Sequence, residues 1–265
     1  MALRTIEEVR AVFPRGGVGL VPTMGALHAG HIALFEAARR ENDVVVASIF
    51  VNPAQFGASE DFERYPRDEK GDAAVAEAAG VDYLFVPAVE EMYPESYDTW
   101  VEVEALSASL EGDARPGHFR GVATVCLKLF NIVGPARAYF GQKDAQQAAV
   151  VERMVEDLNL DLEIRIVPTV RDEDGLAVSS RNAYLSAEDR AAALALPQAL
   201  RAGEEAHGRG ADPVEAARAI LGAEPGLEPE YVELVRLDGR VYLLAAARAG
   251  RTRLIDNVVL EGDPL

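Results

Sequence analysis

Two imidazoles three residues apart stand in the segment Val21-Pro22-Thr23-Met24-Gly25-Ala26-Leu27-His28-Ala29-Gly30-His31. On the opening turn of a helix that spacing puts both rings on one side. There they can donate hydrogen bonds to the charge that grows on a phosphate under attack. The same pair would also serve as a helix cap or as two metal ligands, and so short a motif is a hypothesis. No third His, Cys or carboxylate lies close in sequence, which weighs against a metal site.

A second cluster, Tyr139-Phe140-Gly141-Gln142-Lys143-Asp144-Ala145-Gln146-Gln147, holds one of only three lysines in a chain with 23 arginines. A lysine ammonium suits a moving triphosphate because it needs no fixed bidentate geometry. The bland alternative is a solvated lysine at a helix start. In Val178-Ser179-Ser180-Arg181-Asn182 two hydroxyls and a guanidinium make a candidate lid over phosphates, or simply a turn. In Phe50-Val51-Asn52-Pro53-Ala54-Gln55-Phe56, Asn52 and Gln55 offer neutral amide donors. A carboxylate that must attack phosphorus is better held by amides than by arginine, whose bidentate pairing would lower its nucleophilicity.

The elements that carry these clusters alternate. Thr5 and Glu8 form a capping-box pattern for a helix to about Phe13. After Gly16-Gly17, Val18 to Val21 reads as a buried strand ended by Pro22, and an amphipathic segment covers His31 to Arg40. Strands are expected at Val44 to Val51, Val81 to Val86, Ala138 to Phe140 and Leu162 to Val167, and helices at Gly71 to Ala79, Phe119 to Val133 and Gln146 to Leu158. Near-continuously apolar strands alternating with helices predict an α/β fold, a Rossmann-like doubly wound parallel sheet covered on both faces. In such sheets ligands bind outside the carboxyl ends of the strands, where helix N-termini present unpaired N–H groups. Gly30 would let a ribose or base lie against the backbone.

From Pro168 the texture changes. Ser186 caps an alanine-rich helix expected to run to about Gly208, Asp212-Pro213 starts another, and short strands are read at Tyr231 to Leu237 and Arg253 to Val259. The expected organisation is residues 1–169 as a nucleotide- and substrate-binding domain and 170–265 as a smaller mixed α+β lid domain.

Bulk composition removes several function classes. The 265 residues carry a net charge of -18, with 15 basic and 27 acidic residues before Val170 and 11 and 17 from it onward. Neither part is a nucleic-acid platform. The longest apolar stretch, Val44 to Val51, is too short to span a bilayer, and the first thirteen residues do not read as a secretion signal. A single cysteine, Cys126, fits a reducing compartment, so a cytoplasmic protein is expected.

The blocks Pro-Thr-Met-Gly-Ala-Leu-His-Ala-Gly-His, Phe-Val-Asn-Pro-Ala-Gln-Phe, Arg115-Pro116-Gly117-His118-Phe119, Gly-Gln-Lys-Asp, Ser-Ser-Arg-Asn and Arg253-Leu254-Ile255-Asp256-Asn257 occur in one order. In order and spacing the chain, from about Thr5 to Asn257, resembles the pantothenate synthetase family of the nucleotidyltransferase superfamily. That resemblance implies an ATP-dependent ligase that activates pantoate as pantoyl-adenylate and passes it to beta-alanine, releasing pyrophosphate and AMP. Carried over by matching positions, Pro22 to His31 meet ATP, with His28 and His31 on the phosphates and His31 the proton donor. Gly141, Gln142, Lys143, Asp144 and Val170 are implied nucleotide contacts, Lys143 at the phosphates, and Val178 to Arg181 the mobile phosphate loop.

Gln55 and Gln147 are implied pantoate holders with Asn52 alongside, Gln55 also near beta-alanine, and Arg115 a supporting residue of that site. Magnesium is implied mainly on the triphosphate, as a hard cation prefers, and a homodimer as the assembly. Ala29, Gln142, Ala145 and Val178 depart from residues usual in the family and remove no proposed reacting group. A nucleotidyltransferase that keeps the nucleotide in its product would need more basic residues near Asn52 and Gln55. An aminoacyl-tRNA synthetase is disfavoured by charge, and a non-catalytic nucleotide sensor by His28, His31 and Lys143 occurring together.

Overall fold

Thr5 does cap the first long helix: its hydroxyl accepts from the Glu8 N–H while the Glu8 carboxylate reaches back, starting Ile6–Val12. The computed structural model describes residues 1–13, 17–57, 60 and 62–262, so Gly16 of the expected turn lies outside the described residues. The chain divides into two compact units, Met1–Phe140 with Gln146–Val167, and Gly141–Ala145 with Pro168–Leu265.

The first unit is built on six strands, β1 (Ala2–Leu3), β2 (Val18–Thr23), β3 (Val44–Ile49), β4 (Tyr83–Phe85), β5 (Arg137–Gly141, its last residue grouped with the second unit) and β6 (Glu163–Val167), in the order β1-β4-β3-β2-β5-β6. The pairings β1–β4, β4–β3, β3–β2 and β2–β5 are parallel. Both faces of the central strands β2 and β3 are buried because apolar residues run nearly continuously through them, whereas the edge strand β6 alternates and is less buried. Leu20, Val46 and Phe85 pack with the helices His118–Val133 and Ala145–Asp157. Val21, Val45, Ala47 and Leu84 pack with Ala29–Glu41. The expected Rossmann-like sheet is observed.

Pro22, expected to end β2, lies inside it, in register with Ser48. Backbone polar groups alternate between neighbouring strands. The Val18 carbonyl accepts from Ala136 on the β5 side and the Thr23 carbonyl from Phe50 on the β3 side. Pro22 therefore turns toward β5, beyond Leu20↔Ala138 where that register stops, and its missing N–H leaves no ladder bond unmade.

In the second unit three helices, Ala187–Ala193, Ala195–Gly208 and Pro213–Ala223, pack on an antiparallel sheet of β7 (Leu227–Leu237), β8 (Arg240–Ala249) and β9 (Thr252–Glu261). The single helix expected to run to Gly208 is broken at Leu194, because the ring of Pro197 would meet the carbonyl four residues back, at Ala193. Strand β8 is not among the strands expected from sequence, and the alanines Ala245-Ala246-Ala247 within it carry little strand propensity. The hairpin signal is Asp238-Gly239: both residues have positive φ, 47° and 76°, and form the two-residue turn joining Leu237 to Arg240.

Candidate active site

Strand β2 leads into the histidine segment through a loop with little freedom. The Thr23 hydroxyl donates to the Ser48 carbonyl at 2.6 Å and accepts from the Gly25 N–H at 3.2 Å. Gly25 and Ala26 follow with φ of 84° and 51°, a left-handed pair that costs Ala26 strain. What holds it is Asp72 on the helix Glu69–Ala78. Its buried carboxylate accepts the Ala26 N–H at 3.0 Å and the Leu27 N–H at 2.8 Å. Sequence reasoning missed Asp72. Its signal is an acid four residues before buried Ala76, on the apolar side of that helix.

His28 is the N-cap of Ala29–Glu41, and its Nδ1 accepts the Gly30 N–H at 3.2 Å. His31 reaches back so that its Nδ1 accepts the His28 N–H, also at 3.2 Å, and the ring centroids stand 4.1 Å apart. A neutral imidazole has one acceptor and one donor nitrogen. With both Nδ1 atoms accepting, each ring carries its proton on Nε2, and the cap dictates the tautomer that makes each ring a donor there.

This changes the expected use of the backbone. The N–H groups of Ala26 and Leu27 go to Asp72, that of Gly30 to His28, and those of His31 and Ile32 to the His28 carbonyl. Most backbone donors of this turn are therefore already engaged within the protein. The space at Gly30, expected to admit a ribose or base, is taken by His28: a Cβ there would lie 3.0 Å from its Cε1.

The turn Pro53–Gln55 lies beside this loop, with the Gln55 Nε2 3.4 Å from the Met24 sulfur. Asn52, 1 % exposed, caps the turn and gives its amide to the Gln55 Oε1 at 3.0 Å and to the Gly121 carbonyl at 3.1 Å. Gly121 is required by contact: a Cβ would sit 2.3 Å from the Ala54 carbonyl oxygen and 2.6 Å from the Gln55 nitrogen.

Behind the turn runs a relay whose inner members, Gln55 and His118, are buried and whose outer members, Arg115 and Glu60, are half-buried. Arg115 places Nε and a terminal nitrogen 2.7 Å from the two Glu60 carboxylate oxygens, and its other terminal nitrogen 2.9 Å from the His118 Nε2. Because arginine only donates, that nitrogen accepts, and the His118 Nδ1–H donates to the Gln55 carbonyl at 2.9 Å. Arg115, read from resemblance as supporting a substrate site, thus has its donors engaged by Glu60, His118 and, at 3.4 Å, the Gln55 carbonyl. Gln147 is half-buried. Its neighbour Gln146 is buried and staples Leu106, Ser109 and Glu111 through their backbones.

Burial, reinforced by the adjacent Arg115 charge, pushes the His118 imidazole down to about 4. Its ordinary value is 6.5, so as pH falls the unfolded chain takes up this proton before the folded one. The contribution is complete above pH 6.5 and is lost as pH falls toward 4, at most about 3 kcal/mol. Urea unfolding between those pH values should show that slope flattened in His118→Asn. An identical pH dependence in parent and variant would remove the buried neutral imidazole from the account.

The other expected residues belong to the second unit. Gln142–Asp144 form one tight turn, with the Lys143 ammonium 3.9 Å from the Asp144 carboxylate. The Val178 N–H donates to the Val170 carbonyl at 2.9 Å, making these two residues neighbours. Ser179, in the expected phosphate loop, caps the short helical turn Ser180–Tyr184, its hydroxyl accepting from the Arg181 N–H at 3.3 Å. The structure therefore gathers Met24, His28, His31, Asn52 and Gln55 in the first unit, and Gly141 to Asp144, Val170 and Val178 to Arg181 in the second.

Comparison with known proteins places these features in a wider setting. Residues 1–259 match the family model described as pantoate-beta-alanine ligase. The pantothenate synthetase of Chloroflexus aurantiacus is 55 % identical, covering 98 % of each chain, and that of Moorella thermoacetica is 54 % identical over the same shares. The solved pantothenate synthetase of Thermus thermophilus superposes with a TM-score of 0.95 at 51 % identity, covering 98 % of this chain and 99 % of that one. The Francisella tularensis pantoate-beta-alanine ligase, complexed with beta-gamma ATP and beta-alanine, gives 0.84 at 34 % identity, covering 100 % and 99 %.

Proposed function

The chain belongs to the pantoate-beta-alanine ligase family, and from that premise we propose that it condenses pantoate with beta-alanine in an ATP-dependent, AMP-forming reaction. A pantoate carboxylate oxygen attacks the α-phosphorus of ATP. The new O–P bond gives pantoyl-adenylate, and pyrophosphate leaves with the electron pair of the broken bond. The beta-alanine amine then attacks the acyl carbon, AMP departs with its oxygen, and the nitrogen loses a proton to water, leaving the amide.

The observation that carries this reading is the imidazole pair at the helix start, whose shared cap engages both Nδ1 atoms and so puts each ring's proton on Nε2. His28 and His31 donate to phosphate oxygens as charge grows there, His31 being the proton donor. Lys143 neutralises the triphosphate, and Gly141, Gln142, Asp144, Val170 and Val178 to Arg181 hold the nucleotide. Gln55 and Gln147 orient pantoate through neutral amides, which leave its carboxylate nucleophilic. Asn52, expected beside them, has both amide hydrogens engaged and instead holds the Gln55 side chain. Arg115 and His118 act behind Gln55 by fixing its carbonyl.

Among the described residues no group of three or more His, Cys, Asp or Glu could hold a metal ion, so the side chains do not fit a protein-built magnesium cage. No step is derived through such a cage, and magnesium would arrive on the triphosphate. Among the described residues no helix is long and apolar enough to cross a membrane. A cytoplasmic homodimer that binds neither nucleic acid nor membrane completes the proposal.

Pantoate-dependent exchange of labelled pyrophosphate into ATP tests it, followed by AMP release only on adding beta-alanine. Exchange without pantoate, or a final product that retains AMP, would point to a nucleotidyltransferase instead.

A further inference from the structure

We propose that Asn257 is the positioning residue of Lys143. Lysine carries its charge on a flexible four-carbon stem, so where the ammonium can go depends first on where its own backbone is held. The Asn257 amide nitrogen has two hydrogens and two acceptors, the Gln142 and Lys143 carbonyls, both at 2.9 Å. Its oxygen accepts the Gln142 side-chain amide at 3.1 Å, and the residue is 2 % exposed. One buried amide thus grips two successive peptides of the lysine turn from a position 114 residues away in sequence.

The grip is itself anchored. The Asn257 N–H donates to Asp256 at 2.8 Å. The Asp256 carboxylate, fully buried, takes both terminal nitrogens of Arg171 at 2.6 and 3.1 Å. Asn257 lies within β9, in register with Leu244 of β8, so the sheet sets its place. Arg171 directly follows Val170, and Asp256 and Asn257 therefore connect the lysine turn to the Val170–Val178 segment. Gly141–Ala145 lies in the same compact unit as the C-terminal sheet.

The proposal rests on the reading of Lys143 as a phosphate-binding residue, and a double-mutant cycle separates the two. Asn257→Asp keeps the shape and the acceptor for Gln142 but replaces the donor shared by two carbonyls. It should lower pantoate-dependent pyrophosphate exchange about twentyfold and raise the KM for ATP, with the KM for pantoate unchanged. In a Lys143→Ala background the same change should cost under about twofold, because residues acting as a unit are not additive. Equal losses in both backgrounds, or parallel rises in both KM values, would make Asn257 a general structural residue and overturn the proposal. No loss in the parent background would overturn it as well. If Lys143→Ala alone retained full exchange, the role of Lys143 would fail first and the proposal with it. Should Asn257→Asp not fold, Asn257→Ser, which keeps one hydrogen for the two carbonyls, goes through the same cycle with a smaller, about threefold, loss expected in the parent and none beside Lys143→Ala.

Discussion

His31→Ala is expected to lower pantoate-dependent pyrophosphate exchange by about a hundredfold or more, the loss typical of removing one preorganised donor from a developing charge. The ring has two separable tasks. Its Nδ1 accepts the His28 N–H and completes the cap, while in the proposed reaction its Nε2–H serves the phosphate. Loss of the cap alone costs about 1 kcal/mol of stability. Glutamine is an ordinary capping partner at this third helical position, so His31→Gln should restore the cap without the ring. Melting temperature near the parent's with exchange still depressed would separate the tasks. Full exchange in His31→Gln would mean that the imidazole is only a cap.

Gly121→Ala sets two effects of opposite sign against each other. Helix propensity favours alanine by about 1 kcal/mol at an interior position. Against it stands a Cβ 2.3 Å from the Ala54 carbonyl oxygen, 2.5 Å from its carbon and 2.6 Å from the Gln55 nitrogen, all backbone that cannot rotate away. Overpacking of that kind costs about 3 kcal/mol, so the net result should be a loss of about 2 kcal/mol. Displacing the turn also breaks the bond from Asn52 to the Gly121 carbonyl and moves Gln55, so the KM for pantoate should rise more than that for ATP. Calorimetry and steady-state kinetics check both halves. A raised melting temperature with an unchanged KM would mean that the turn yields and the helix does not position Gln55.

Features governed within a few residues are legible in the chain itself. The Thr5–Glu8 capping box, the Asp212-Pro213 helix start and the alternation of apolar strands with helices each express a local rule, and each appears where that rule puts it. The break at Leu194 obeys a local rule too, the proline clash four residues back, but the alanine content around it masks the signal. Strand β8 is hidden for a different reason. Its alanines favour helix alone, and they become strand because β7 and β9 pair on either side and Gly203 lets a helix lie against Leu243.

The same division runs through the candidate site. By itself the sequence singled out the candidate side chains, His28, His31, Gln55 and Lys143, and determined the strand-to-helix setting of the histidines, because residue type and short-range period are written in the chain. Only the tertiary structure decided how each is held. Asp72 meets Leu27 across 45 residues, His118 meets Gln55 across 63, and Asn257 meets Lys143 across 114. No periodicity reaches that far. Such partners are chosen by which buried donors and acceptors the fold brings within about 3 Å, since a polar group taken out of water must find another to bond.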